Sequence, residues 1–232
     1  MSVRGLPKGQ WNRSGGVVAL PTYGTVEYID GYGTTGKSPT ISSMDSDEFT
    51  ILVSGVSSNS YMYSDGYNEN DLEVRQLQEH HNGNGWESVH QTYLAPLPGD
   101  ELTHGTTVNL AFGSNDSPAW CRARFRKLPG FQGLMVASHR VSQNTQVDTF
   151  SITPFTNPMT EPGGLCITGA FKDYTGYPTT VTGTGWNKGG NGGLTIQGYY
   201  ILSTTEIETP PVMSFTGGGT GRYWAGMVTY LR

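Results

Sequence analysis

The sequence predicts an all-β protein, a duplicated antiparallel β-sandwich that is jelly-roll-like, and three observations support this fold class. Stretches in which apolar and polar residues alternate recur about every ten residues, which is the strand spacing of a sandwich. Glycine-rich turn clusters separate these stretches. The second half of the chain also repeats the order of the first, as two tandem modules or one fused double unit would.

The repeat rests on landmarks that recur at an offset of about 100 residues, the size of one small domain. The first landmark is a Gly-Trp pair, at Gly85-Trp86 and Gly185-Trp186, and the second is a tyrosine-centred run, at Tyr93-Leu94 and Tyr200-Ile201. They are followed by an acidic turn at Glu101 and Glu208, a short apolar strand at Val108 to Phe112 and Val212 to Phe215, and a Trp-led strand at Trp120 and Trp224. We therefore expect an N-terminal arm at 1–16, a first β-sandwich module at 17–129 and a second at 130–232.

The N-terminal segment is rich in glycine and carries no acidic residue, which argues against an independent fold. We expect it to fray or to lie on a neighbouring subunit as an assembly arm, with Trp11 as the apolar anchor and Arg4, Lys8 and Arg13 as its charges. It has no signal-peptide core, so we expect assembly inside a cell without export.

Strand patterns continue from Val17 onward, as at Phe49, Ile51 and Val53, where apolar residues alternate with polar ones. The stretch from Asn70 to His81 is the exception. It has a plausible N-cap, good helix formers and a following glycine, which favour a single short helix.

Charged residues make up only 14% of the chain, against about 25% in ordinary soluble domains, and the net charge is -5. This balance argues against nucleic-acid binding, which requires clustered basic residues. Arg122, Arg124 and Arg126 alternate, so on a strand they share one face. That face is either solvated or meets a phosphate or an acidic partner.

No catalytic motif, phosphate-binding loop or dinucleotide fingerprint occurs, so we assign no catalytic residue, no cofactor and no metal. We expect Cys121 and Cys166 to be buried thiols, a disulfide between the halves being the alternative. The histidines at 80, 81 and 90 are close enough for a metal site to be conceivable, but the side chains of the adjacent His80 and His81 should diverge and no third ligand has typical spacing.

Tyrosine, serine, asparagine and glycine dominate residues 59–67, the composition of adaptable binding loops. The possible glycan or partner contacts are Tyr61, Tyr63 and Tyr67, with Tyr174 and Tyr177 near the corresponding place in the second half. The alternative is that these tyrosines cap the end of a sandwich. Trp86 and Trp186 are interpreted as core residues rather than sugar platforms.

Three carboxylates cluster in the same region, at Asp65, Glu69 and Asp71. They are rich enough in oxygen for Ca²⁺ but lack the EF-hand order, so a solvated loop is the simpler interpretation. They are also the acids that a glycoside hydrolase would use, which is the third function considered.

The chain resembles β-sandwich virion proteins of tailed bacteriophages, in particular minor tail or fibre proteins of actinobacteriophages. The Gly-Trp turns, the runs Thr92 to Leu94 and Gly198 to Ile201, and the closing segment Arg222 to Leu231 carry the resemblance, which spans roughly residues 40–232.

The resemblance implies a non-enzymatic structural protein of the virion, assembled in the host cytoplasm. It would be a minor tail, tail-tip or fibre component that binds other virion proteins, forms homo-oligomers such as trimers and contacts a host-surface glycan. The acidic charge balance argues against a nucleic-acid partner, and no apolar run is long enough for a membrane span, so we expect no membrane insertion. A capsid decoration protein and a carbohydrate-binding module are the alternatives.

Overall fold

A computed structural model describes residues 24–36, 38–57, 72–81, 87–107, 118–145, 147–154, 161–172, 176–217 and 223–232. Within these ranges the chain forms β-strands and contains no helix, so no described helix could cross a membrane. In chain order the strands are β1 (Val26–Thr35), β2 (Thr40–Ile41), β3 (Glu48–Ser57), β4 (Leu72–His81), β5 (Glu87–Pro96), β6 (Thr106–Thr107), β7 (Ala119–Lys127), β8 (Met135–Gln143), β9 (Thr149–Ile152), β10 (Leu165–Lys172), β11 (Thr180–Thr182), β12 (Asn187–Gly192), β13 (Thr195–Ile201), β14 (Met213–Thr216) and β15 (Trp224–Leu231).

Two five-stranded antiparallel sheets form the body, and their strand orders match. The first sheet has the order β1-β7-β3-β5-β4, and the second, taken from the corresponding edge, has β8-β15-β10-β13-β12. Numbered along each half, the strands of both sheets follow the order first, fifth, second, fourth, third. The predicted duplicated antiparallel β-sandwich is therefore confirmed.

The outer strands follow the same duplication. In the first half β2 pairs with β6, and in the second β9 pairs with β14, the strands at the corresponding places in the connectivity. In the second half β11 joins β14 as a third strand. Numbered from β8 to β15, the eight strands of that half form one sheet with the order first, eighth, third, sixth, fifth and another with the order second, seventh, fourth. This is the strand arrangement of a jelly roll, except that the fifth strand has joined the opposite sheet.

Three cores lie between four layers of sheet. The two large sheets face one another across a middle core, in which Phe49, Ile51 and Tyr93 meet Leu165 and Ile167. Because side chains alternate along a strand, the opposite faces of both sheets are also buried, each beneath the smaller sheet of its own half. Trp120 and Trp224 occupy corresponding places in these two outer cores.

Glycines allow the two large sheets to approach closely at their central strands. A Cβ built on Gly55 of β3 would lie 2.3 Å from Cδ2 of Phe171 on β10, and one built on Gly169 of β10 would lie 2.7 Å from Cγ2 of Val53 on β3. Each central strand therefore makes room for a side chain of the other half, which couples the two modules.

Two landmarks of the repeat, the tyrosine-centred runs and the Trp-led strands, fall on equivalent strands, but the Gly-Trp pairs do not. The run Val108 to Phe112 lies outside the described residues. Gly85-Trp86 lies outside the described residues, in the connection between β4 and β5, whereas Trp186 lies between β11 and β12. The strand β12 corresponds to β4, so the two pairs occupy different connections. The Gly-Trp match is thus a local similarity of sequence and not part of the duplicated framework.

Trp186 is buried in the outer core of the second half, as expected, and its Nε1 donates a hydrogen bond to the carbonyl oxygen of Pro211 at 2.8 Å. The preceding Gly185 has φ of 77°, and a Cβ there would lie 2.6 Å from the Tyr200 ring. Glycine is required at that position by both the left-handed backbone and the ring.

The prediction of a helix between Asn70 and His81 is wrong, because residues 72–81 form the strand β4. A β-bulge lies between Gln76 and Gln78, so Leu77 and Gln78 both face the middle core. The bulge breaks the alternation of apolar and polar residues that a regular strand shows. The resulting pattern resembled neither a regular strand nor a regular helix.

The predicted boundary between the modules at residues 129–130 stays a prediction. It falls in a turn between β7 and β8, where the amide of Phe131 donates a hydrogen bond to the carbonyl of Leu128 at 3.0 Å.

Candidate functional site

The described residues include one of the predicted glycan contacts. Tyr177 is 57% exposed. The other tyrosines of that set, the residues of the proposed assembly arm and the acidic cluster lie outside the described residues: Tyr61, Tyr63, Tyr67, Tyr174; Arg4, Lys8, Trp11, Arg13; Asp65, Glu69, Asp71. Their roles stay predictions.

The alternating arginines share one face of β7, as predicted, and each pairs with a carboxylate of the same chain; Arg122 and Arg124 are mostly buried, whereas Arg126 is 38% exposed. Arg122 Nη1 donates to Asp30 Oδ1 at 2.7 Å, and Arg124 Nη2 donates to Oδ2 of the same carboxylate at 2.6 Å. Arg126 Nη2 donates to Glu48 Oε1 at 3.0 Å.

This arginine ladder joins β1, β3 and β7 through carboxylates of the same chain. Arg122 has only 8% of its side chain exposed, and Glu48 only 6%. Buried charges need such partners because they have lost their hydration. The ladder is therefore a structural ion-pair network, and its charges are largely neutralised within the protein.

The edge of the second sheet is the most exposed strand surface of the described chain. Strand β8 pairs on one side with β15, and no described strand pairs with its other side. Eight consecutive residues, from Met135 to Ser142, are exposed or only partly buried. An exposed strand of this length offers backbone donors and acceptors to another chain.

Three consecutive apolar side chains mark the start of this edge. Leu134, Met135 and Val136 are 53%, 44% and 46% exposed. A run of exposed apolar residues is unfavourable in a soluble surface unless a partner covers it. Sequence reasoning did not single out this run, although three adjacent apolar residues break the alternation expected of a half-buried strand.

A second cluster lies on the first sheet, on the face that is turned away from the middle core. Glu79 of β4 is directly opposite His90 of β5, and His81 is directly opposite Ser88. His81 Nε2 lies 2.5 Å from Glu79 Oε1, and His90 Nε2 lies 3.7 Å from the same oxygen. One donor atom from each of Glu79, His81 and His90 lies within 4.8 Å of the other two.

The two histidines of this cluster differ in environment. His90 has 4% of its side chain exposed, against 36% for His81. Burial lowers the pKa of His90 to about 4, with the Glu79 carboxylate opposing this shift and His81 adding to it. His90 is therefore a neutral imidazole near pH 7.

His80 points away from the cluster, as adjacent side chains on a strand should. Its Nε2 lies 2.7 Å from Ser142 Oγ on β8. The carboxylate that completes the cluster, Glu79, was missed from sequence because the stretch was interpreted as a helix. On a strand, the spacing Glu79-x-His81 places both side chains on one face, and this signal was available.

Both cysteines are free and buried, as predicted. Burial raises the pKa of the Cys121 thiol to about 12 and that of Cys166 higher still. Neither is a nucleophile at neutral pH, since the thiolate is the reactive form.

No protein-family model matches the chain, and no curated protein and no solved structure matches it at a significant level.

Proposed function

We propose that this chain is a structural virion protein of a tailed bacteriophage, which assembles with copies of itself through the exposed edge strand β8. The carrying observation is the exposed run Leu134 to Val136 at the start of an edge strand with which no strand of the described residues pairs on its outer side. The sequence resemblance to minor tail and fibre proteins supports the virion assignment, and the jelly-roll architecture agrees with it because viral coat proteins often use this fold.

A second copy of the chain is the partner that fits this edge best. Antiparallel pairing of two β8 strands centred on His139 would overlap all nine residues and place Arg140 opposite Ser138 of the other copy. No two arginines would face one another in this register, and the apolar run at one end of each strand would be covered by the other copy. Such a contact is self-complementary, as a two-fold interface must be.

The assembly is tested by measuring the mass of the purified protein in solution with light scattering. Replacing Met135 and Val136 by lysine introduces charge into the proposed contact, so we expect the oligomer to dissociate. Ile207→Lys is the matched control, since Ile207 is 59% exposed in the connection between β13 and β14, outside β8. An oligomer that survives the double substitution, or a monomeric wild type, contradicts the role of β8.

The virion assignment is tested separately, with antibodies against the protein and electron microscopy of purified particles. Labelling of the tail tip, a fibre or the capsid surface distinguishes a tail component from a decoration protein. Absence of the protein from purified virions refutes the assignment.

A carbohydrate-binding module is the second candidate, and the 57% exposure of Tyr177 favours it. A tyrosine ring on a surface can stack on a sugar. If Tyr177 is part of such a site, Tyr177→Ala weakens binding on a glycan array, whereas Tyr32→Ala, at a ring 55% exposed on β1, leaves it unchanged. Unchanged binding in both variants removes Tyr177 from the site.

A further inference from the structure

The cluster on the β4–β5 pair contains the elements of a transition-metal site. Glu79, His81 and His90 project from two adjacent antiparallel strands onto one face, and their donor atoms converge within 4.8 Å. Two imidazole nitrogens and one carboxylate oxygen suit Zn²⁺, while Ca²⁺ and Mg²⁺ prefer oxygen ligands alone.

His90 supplies an observation that an ordinary cross-strand ion pair leaves unexplained. Only 4% of its side chain is exposed, yet its Nε2 has no hydrogen-bond partner among the described residues. This nitrogen points at Glu79 Oε1 from 3.7 Å, beyond hydrogen-bond distance. Buried polar atoms are nearly always satisfied, so an imidazole nitrogen that faces a carboxylate without a hydrogen bond is available to a metal ion placed between them.

The orientation of His81 is also appropriate. Its Nδ1 lies 2.6 Å from Ser88 Oγ, and its Nε2 points at Glu79. Histidine ligands in metal sites typically use the second ring nitrogen in such a hydrogen bond, which sets the ring orientation. Ser88 thus holds His81 with Nε2 directed at the centre of the cluster.

Binding of Zn²⁺ requires only small movements of the donor atoms of Glu79 and the two histidines. Donor atoms around a tetrahedral Zn²⁺ are about 3.4 Å apart, given metal–ligand bonds of about 2.0–2.1 Å. His90 Nε2 and Glu79 Oε1 are 3.7 Å apart, already close to this value. His81 Nε2 and Glu79 Oε1 are 2.5 Å apart and must separate by about 1 Å. Glu79 is 29% exposed, so rotation of its carboxylate can supply this movement.

We propose that Glu79, His81 and His90 bind a single Zn²⁺ ion that joins β4 to β5, with the fourth position open to water or to a residue of an assembled partner. This revises the expectation from sequence that no metal is bound. The proposal is independent of the virion assignment and of the β8 contact, because it concerns a different strand pair.

The test is a calorimetric titration of the full chain, stripped with EDTA, with ZnCl₂. Wild type is expected to bind one equivalent, and the metal raises the melting temperature because it binds the folded state. His81→Ala and Glu79→Gln are expected to lose affinity by at least about tenfold, and Ser88→Ala by about tenfold through loss of the bond that orients His81.

Two histidines provide matched controls. His80→Ala removes the neighbour that faces the other side of β4, and His104→Ala removes an exposed histidine outside β4 and β5. Both variants should bind Zn²⁺ as wild type does. Co²⁺ bound to wild type should show the visible absorption of a four-coordinate ion, and this signal should be absent in His81→Ala.

Two results overturn the proposal. One is the absence of Zn²⁺ binding by wild type when the free metal concentration is raised through the millimolar range. The other is binding that persists in His81→Ala and Glu79→Gln, since the ion would then lie elsewhere on the chain. Circular dichroism of each variant shows whether the fold is intact, and His81→Ala is suited to this because His81 is 36% exposed.

Discussion

The contact between Gly169 and Val53 allows the coupling of the two halves to be measured. A methyl group added at Gly169 would meet Val53 Cγ2 at 2.7 Å and Cγ1 at 2.9 Å, with Gln91 Nε2 at 3.2 Å. Val53 is fully buried in the core between the two large sheets. Overpacking of this kind costs about 1–3 kcal/mol of unfolding free energy, which we expect for Gly169→Ala.

Val53→Ala acts on the same place with the opposite change in volume. It removes two buried carbons, worth about 0.8 kcal/mol each in transfer free energy, and leaves a cavity, so we expect a loss of about 2–3 kcal/mol. In the double variant the new methyl group at position 169 enters the space left by the two γ carbons. The combined loss should then be smaller than the sum of the single losses by about 1–3 kcal/mol.

Urea unfolding of wild type, both single variants and the double variant gives this coupling energy, provided that the slope with denaturant stays constant. A second cycle, with Val53→Ala and Gly198→Ala, is the control. A methyl group at Gly198 would meet Thr168 and Met213 on the other face of the second sheet, so the effects of these two substitutions should add. Additive losses for Val53 and Gly169 would refute the proposed packing of the halves.

Three further predictions follow from buried groups. Cys121 and Cys166 should not react with a thiol reagent at pH 8 in the folded protein, and both should react in denaturant; fast reaction of either in the native state would contradict their burial. Burial raises the pKa of Tyr93 from 10.0 to about 12, so the folded protein retains this proton to higher pH than the unfolded chain does. Stability should therefore fall by about 2–3 kcal/mol as the pH rises from about 10 to 12, and Tyr93→Phe should lose less when unfolding is measured at both ends of that interval. Asp30→Asn should cost about 2–3 kcal/mol of unfolding free energy, because Arg122 is nearly buried and loses a charged partner; an unchanged urea midpoint would show that the ladder contributes nothing.

Periodicity was a reliable guide where strands are regular. Phe49, Ile51 and Val53 alternate and all face the middle core. It failed at β4, because a bulge inserts one residue and carries Leu77 and Gln78 onto one face. A bulge depends on the partner strand as well as on local sequence, so the pattern of β4 alone did not reveal it.

The candidate metal cluster shows a similar division. The sequence contained His81 and His90, and their proximity was noted, but the third ligand emerged only when β4 was placed beside β5. The register that puts Glu79 opposite His90 is a property of the strand pair. The arginines of β7 could likewise be assigned to one face, whereas their partner Asp30 is 92 residues from Arg122 along the chain and had no local signal.

The sequence by itself determined that the protein is all-β and duplicated, because alternation and repeated order are local properties that survive without knowledge of contacts. Tertiary structure decided which landmarks are equivalent, how the two halves pack through Gly55 and Gly169, and which polar groups converge. These depend on strand register and on packing between sheets, which bring together residues that are distant in the chain.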